Sequence, residues 1–246
     1  MQTKLGVYAT NKINEDFGTN LSIGKVNLSF LGSIALKEVQ IRDHHKDTLI
    51  FVKKISTSLL SVKKVFNNKL LFDAITIEDA FYFMKTYKGE TTNNMSVFTA
   101  SFRSDTPKDS LDLPFILKAN NVYIQNLDLR ISNDNKEKPL NFSATNIGGN
   151  VQDLDIVGAD VALNTRGLYF RTNQDLQVTS FTTNYKFTKS AMTFESTRLE
   201  TENSRLNANI FFTYGRGDLS NFNDKVQIEA EFKESNLKVL DLKKFY

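Results

Sequence analysis

A short phrase, apolar-x-x-apolar-x-apolar-x-Asp/Asn, recurs along this chain. It reads LKEVQIRD at 36–43, FDAITIED at 72–79 and ANNVYIQN at 119–126. Each copy reads as a small bend, then a strand showing one apolar face, then a polar exit. Alternation at period two puts every apolar side chain on one face of a strand. A chain that repeats the phrase therefore accumulates strands with a common apolar face, and the use of that face becomes the central question.

The alternation extends well beyond the three copies. Leu5, Tyr8, Ala9, Ile13 and Phe17 fall at helical spacing before Gly18, which predicts an N-terminal amphipathic helix. From Asn20 the period becomes two, with a slip at Gly24-Lys25, where glycine suits a β-bulge. LGS at 31–33 and DHHKDT at 43–48 read as turns, VKKVFNNK as a short helical turn, 70–87 as a long strand or strand pair, and NNMSVFTASF as one or two helical turns. The polar stretch 104–114, with Pro107 and Pro114, separates an N-terminal unit (1–103) from a strand-rich remainder (115–246). Turns are expected at Asn133-Asp134-Asn135, Gly148-Gly149, Gly158 and 215–218. That spacing implies about fourteen strands, which side by side would extend about 65 Å.

The expected class is thus mainly β: an N-terminal amphipathic helix, then a long, curled, mostly antiparallel sheet whose apolar face forms a groove. A filled β-sandwich fits the alternation too. The single curled sheet accommodates more strands, with the polar residues kept on one parity throughout.

Composition closes several routes. The 246 residues are enough to bury a real core. A net charge of +3, with no basic block longer than pairs such as Lys53-Lys54, gives no nucleic-acid footprint. The absence of cysteine excludes disulfides and thiolate metal sites. No apolar run approaches the roughly 18–20 residues of a spanning helix, and no secretory signal opens the chain.

Catalytic signals are weak. His44 and His45 are the two histidines, set between Asp43 and Asp47 with no third ligand indicated, so an exposed polar turn is expected and no metal site. No nucleophile elbow or phosphate-cradling glycine loop accompanies them. Arg216-Gly217-Asp218 reads as a turn, and Asp153 with Asp155 is too small a set to specify calcium. No catalytic residue and no cofactor is assigned.

The order of elements carries a resemblance. A helix ending KINEDFG, then NLSIGKVNLSFLGSIALKEVQIRD, DTLIFVKKI, LLFDAITIEDAFYFMK and NNMSVFTASF resembles the N-terminal region of TamB/AsmA-like envelope biogenesis proteins. It is also similar to the chorein-type start of bridge-like lipid transfer proteins. The likeness covers residues 1 to about 103 and is architectural beyond about 115. It implies a repeating β-groove with an apolar lining, held in the inner membrane by an upstream anchor and projecting into the periplasm. It also implies an Omp85-type outer-membrane barrel as partner, and a role in phospholipid movement, outer-membrane protein assembly and secretion, or both. On this reading the chain is an N-terminal portion whose anchor precedes residue 1.

Lipid carriage suits the pattern physically. Exposing an acyl chain to water costs about 0.8 kcal/mol per CH₂, or about 12 kcal/mol for a sixteen-carbon tail. An apolar trough removes most of that cost and needs no nucleophile or metal. The candidate lining is Leu21, Ile23, Val26, Leu28, Ile34, Leu36, Val39, Ile41, Ile75, Ile77, Val122, Ile124, Leu127, Leu129 and Ile131. The alternative is a structural or interaction module, a filled β-sandwich or solenoid that binds protein partners. An outer-membrane barrel is disfavoured by the opening helix and the irregular slips. An enzyme is the least supported class.

Overall fold

The computed structural model describes residues 7, 10–11, 14–15, 18–28, 33–59, 69–100, 116–136, 140–215, 218 and 222–244. Among them, eleven strands form one sheet whose order in space is their order in sequence. They are β1 (Asn20–Leu28), β2 (Ser33–Arg42), β3 (Thr48–Leu59), β4 (Lys69–Thr86), β5 (Ile116–Asn133), β6 (Leu140–Val157), β7 (Asp160–Thr172), β8 (Gln177–Phe187), β9 (Ala191–Thr201), β10 (Arg205–Thr213) and β11 (Gln227–Asn236). Short helices are α1 (Asn94–Ala100), α2 (Phe222–Lys225) and α3 (Val239–Leu242). Every neighbouring pair is antiparallel except β4–β5, which is parallel.

The mainly β, mostly antiparallel class is therefore present, but the sheet is neither closed nor strongly curled. Its two edges are β1 and β11, and no pairing draws them together. The apolar residues of the expected N-terminal helix, Leu5, Tyr8, Ile13 and Phe17, lie outside the described residues, as do the helical turn expected at 61–68 and the connection 104–114. Asn14, which is described and helical, does meet the sheet. Its amide accepts from the Leu21 N–H and donates to the Leu21 carbonyl, each at 2.8 Å, and so occupies part of the β1 edge.

The slips in the alternation turn out to be one feature. Gly24, Glu38, Lys53, Asp79 and Asn126 face one another strand by strand, between flanking pairs such as Ile23↔Val39 and Lys25↔Lys37. Glu38, Asp79 and Asn126 hold left-handed backbone at φ 55, 52 and 66. Because all five strands carry their extra residue at the same level, the ladder keeps its register while apolar side chains return to the same face. At Gly24 a Cβ would lie 2.4 Å from Glu38 Oε2 and 3.0 Å from Glu38 Cβ, so the Glu38 side chain would have to shift to admit one.

The second and third phrase copies lie side by side in the parallel pair, with Phe72↔Ala119, Ile75↔Val122 and Ile77↔Ile124 in register. The first copy is displaced. Leu36 shares a row with Ile55 and Ile77, so Glu38, not Asp43, falls on the bulge line.

Asp43 instead organises one end of the sheet. It is 2% exposed, and its Oδ1 accepts from the backbone N–H groups of His45 and Asp47 at 2.9 and 3.0 Å. Its Oδ2 accepts from Tyr87 Oη at 2.7 Å and Asn94 Nδ2 at 2.9 Å. Asn94 also donates to the Phe83 carbonyl and accepts from the Lys85 N–H, which fixes the start of α1 against β4. Asn93 caps that helix by accepting from the Ser96 N–H at 2.8 Å. Burial pushes the Asp43 carboxyl up, but the bonds from Asn94, Tyr87 and the two amides outweigh it and hold the group below its ordinary value. At the same end, the C-terminal segment runs back across the sheet. Asp241 accepts from Thr201 and Ser204, and Lys244 Nζ donates to the Asp175 carbonyl at 2.7 Å.

The expectation of about fourteen strands is corrected to eleven among the described residues. Gly148-Gly149, read as a turn, lies inside β6. Gly149 sits at φ 130, where a Cβ would lie 2.9 Å from the Gly167 carbonyl oxygen, and the Tyr169 ring covers Gly148. A glycine pair that signals a turn in isolation here allows two strands to approach.

Candidate functional site: one apolar face

Strand register gathers the candidate lining residues on a single face. One row runs Val26, Leu36, Ile55, Ile77, Ile124 across β1 to β5. Beside it run Ile23, Val39, Val52, Ala80, Leu127 and then Leu21, Ile41, Ile50, Tyr82, Leu129. On the other side, Ile75 pairs with Val122, and Val122 with Val151. Ile34 pairs with Leu28, whose side chain lies outside the described residues, and Ile131 lies between Met84 and Phe142. All of the strand positions chosen from sequence thus belong to one surface.

Burial varies along it. Ile23, Val26, Val39, Ile75 and Val122 are buried, packed into two contiguous apolar clusters by their cross-strand neighbours. Leu21, Ile34, Leu36, Ile41, Ile77, Ile124, Leu127, Leu129 and Ile131 are half-buried. Among the described residues, the main strand contacts are between sequence neighbours, α1 touches β4, and all eleven strands belong to one sheet, with no second sheet to lie against the face. The accessible surface of the whole chain is 15100 Å² for 28.0 kDa, against about 11,000 Å² for a compact monomer of that mass.

The surface continues past the residues chosen from sequence. Ala119, Val151, Leu154, Leu163 and Leu168 join the second cluster. Further along, Tyr185, Phe194 and Phe212 pack in tilted and edge-to-face contacts with ring centroids 5.0 and 6.1 Å apart. Burial pushes the Tyr185 phenol up to about 12, helped by Tyr214, and raises Tyr82 in the same way. These positions obey the same alternation, so the signal was present in β6 to β10; the interrupted parity around Gly148 and Gly167 obscured it.

The opposite face carries charged pairs beside aromatic side chains such as Phe51, Phe81 and Tyr123. Lys54 pairs with Glu78 at 2.6 Å, Lys53 with Asp79 at 2.8 Å and Lys118 with Asp155 at 2.7 Å. A shallow depression there is lined by Ser22, Gly24, Glu38, Gln40 and Phe51, and Ile23 is the one lining candidate that borders it. Of the signals set aside, Arg216 and Gly217 lie outside the described residues, while Asp218 accepts from the Gly215 N–H at 2.8 Å as a turn requires. Among the described residues no helix is long and apolar enough to cross a membrane. Compared with known protein families and with curated proteins, the chain matches none.

Proposed function

We propose that this chain is a non-enzymatic lipid carrier whose apolar sheet face holds the acyl chains of phospholipids while their headgroups stay in water. The observation that carries this reading is the uncovered apolar face, which runs across the sheet with no second layer on it among the described residues. Monomeric proteins rarely leave contiguous apolar patches above a few hundred Å² without a ligand or partner for them. The face is the floor of an open, shallow trough.

The resemblance of residues 1–103 to TamB/AsmA-like proteins supports reading the carrier as one that works in the bacterial periplasm. There it is anchored to the inner membrane by an upstream segment and works with an Omp85-type outer-membrane barrel in outer-membrane biogenesis. Native mass spectrometry of detergent-free protein tests the reading. Phospholipid is expected to co-purify, and Ile124→Asp in a folded variant is expected to lose it. Lipid-free wild-type protein, or full loading of the Asp variant, overturns carriage.

A second reading, an interaction module that takes a protein partner, is favoured by β11. That edge strand is exposed along its length, with Ile228 57% and Phe232 61% exposed. It is the better reading if lipid is absent and the edge captures an added strand.

A further inference from the structure

The turn between β2 and β3 and the segment after β4 bring three ligating side chains together at one end of the sheet. His44 Nε2 lies 3.1 and 3.0 Å from the two oxygens of Glu90, and His45 Nε2 lies 2.5 Å from Glu90 Oε1. All three ligand atoms fall within 4.8 Å of one another. The sequence indicates two histidines and no third ligand; the fold supplies one from 45 residues away. We propose that His44, His45 and Glu90 bind a divalent transition-metal cation of the zinc type.

Both imidazoles present the same nitrogen, Nε2, to one carboxylate, which is the arrangement a shared cation needs. Two imidazoles and a carboxylate suit zinc, nickel or copper and discriminate against magnesium and calcium, which prefer all-oxygen shells. Ligand atoms around a tetrahedral zinc stand about 3.3 Å apart, given metal–ligand bonds of about 2.0–2.2 Å. The His–Glu90 separations, 2.5–3.1 Å, are shorter than this, as direct hydrogen bonds are, and rotation about side-chain bonds would open them to admit a cation. Water would complete the shell.

The backbones on both sides are held in place. Asp43 accepts from the N–H groups of His45 and Asp47, which fixes the histidine turn. The Glu90 N–H donates to the Tyr87 carbonyl, and Asn135 Nδ2 donates to the Glu90 carbonyl at 2.7 Å. Asn135 also accepts from the Gly89 N–H at 2.7 Å. The His45 ring stacks on Tyr87 with centroids 3.9 Å apart, which restrains its rotation. Three connections, after β2, β4 and β5, therefore converge on one point, and a cation there would tie the parallel crossover to the first hairpins.

The test is zinc titration by calorimetry on the full chain carrying no histidine tag, with His44→Ala/His45→Ala and Glu90→Gln as variants. One zinc per chain is expected, with affinity reduced about tenfold or more in Glu90→Gln and lost in the double variant. Circular dichroism without metal controls for folding, and X-ray absorption of the wild-type complex is expected to show two imidazoles. Zinc bound to the wild type should also raise its melting temperature, and Glu90→Gln should diminish that rise. Failure of the wild type to bind at one equivalent overturns the assignment. So does unchanged affinity in a folded Glu90→Gln variant, which would reduce the pair to ordinary two-histidine chelation.

Discussion

Asn126 Nδ2 donates to Asp79 Oδ1 at 2.8 Å, and both residues hold left-handed backbone on parallel neighbouring strands, 47 positions apart in sequence. Six residues earlier, within the same two copies, the side-chain bond recurs: Asn120 Nδ2 donates to Asp73 Oδ1 at 2.9 Å, again 47 positions apart. The repeated phrase is thus a docking unit whose polar positions match when two copies align. Asn and Asp tolerate left-handed backbone better than other non-glycine residues, which explains why the second and third copies end on one of them.

Backbone strain at Asn126 gives the first prediction. Asn126→Gly keeps the conformation and loses one side-chain bond, so its urea midpoint should fall slightly. Asn126→Val also forces a branched residue into φ near 66 and should be about 2 kcal/mol less stable than the glycine variant. Equal midpoints for the two variants would contradict the bulge line.

Gly149 supplies a more severe case. Its φ of 130 suits glycine alone, and a Cβ would lie 2.9 Å from the Gly167 carbonyl oxygen and 3.0 Å from Leu168 Cα. Gly149→Ala is expected to destabilise the protein by about 3 kcal/mol, read by chemical denaturation, because neither backbone neighbour can yield cheaply.

At the end of the sheet, Asp43→Ala removes the acceptor for Tyr87, Asn94 and two amides. A loss of about 3 kcal/mol is expected from the unpaired buried donors. The carboxyl is held below an aspartate's ordinary 3.8, so its contribution is complete above that pH. It should disappear as pH falls through the lower folded value. Denaturation midpoints of wild type and Asp43→Ala should therefore converge only in strong acid; convergence near neutral pH would rule the mechanism out.

Adjacent residues on β5 separate the two faces. Ile124 lies in the apolar row, whereas Tyr123, 45% exposed, points the other way. With both variants folded, Ile124→Asp should abolish co-purified phospholipid and Tyr123→Asp should leave it unchanged. Equal loss from both would show that lipid does not follow the apolar face.

Much of the fold is legible from residue order. Leu21, Ile23, Val26 and Leu28, like Leu36, Val39 and Ile41, announce strands that slip once and then resume, and all the lining residues drawn from that rule fall on one face. What stays hidden depends on distant partners. Nothing in FDAITIED and ANNVYIQN tells parallel from antiparallel neighbours, because both copies show the same local alternation. Asp43 occupies the same phrase position as Asp79, yet one closes a turn and the other lines a bulge, since the first copy is displaced along the ladder. Gly148-Gly149 mimics a turn because close approach of strands and chain reversal demand the same freedom. Glu90 could not be chosen, as a lone glutamate in a polar loop carries no local mark of the histidines it meets.

Strand order that copies sequence order has a consequence for growth and assembly. Each strand needs only its predecessor as template, so the sheet can form by sequential zippering from either flank, with short loop closures throughout. The β4–β5 joint is the exception, because its crossover must close before those strands meet. Hairpins added or deleted away from that joint would change the molecule's span by about 4.8 Å per strand without disturbing the remainder, making reach an evolvable quantity.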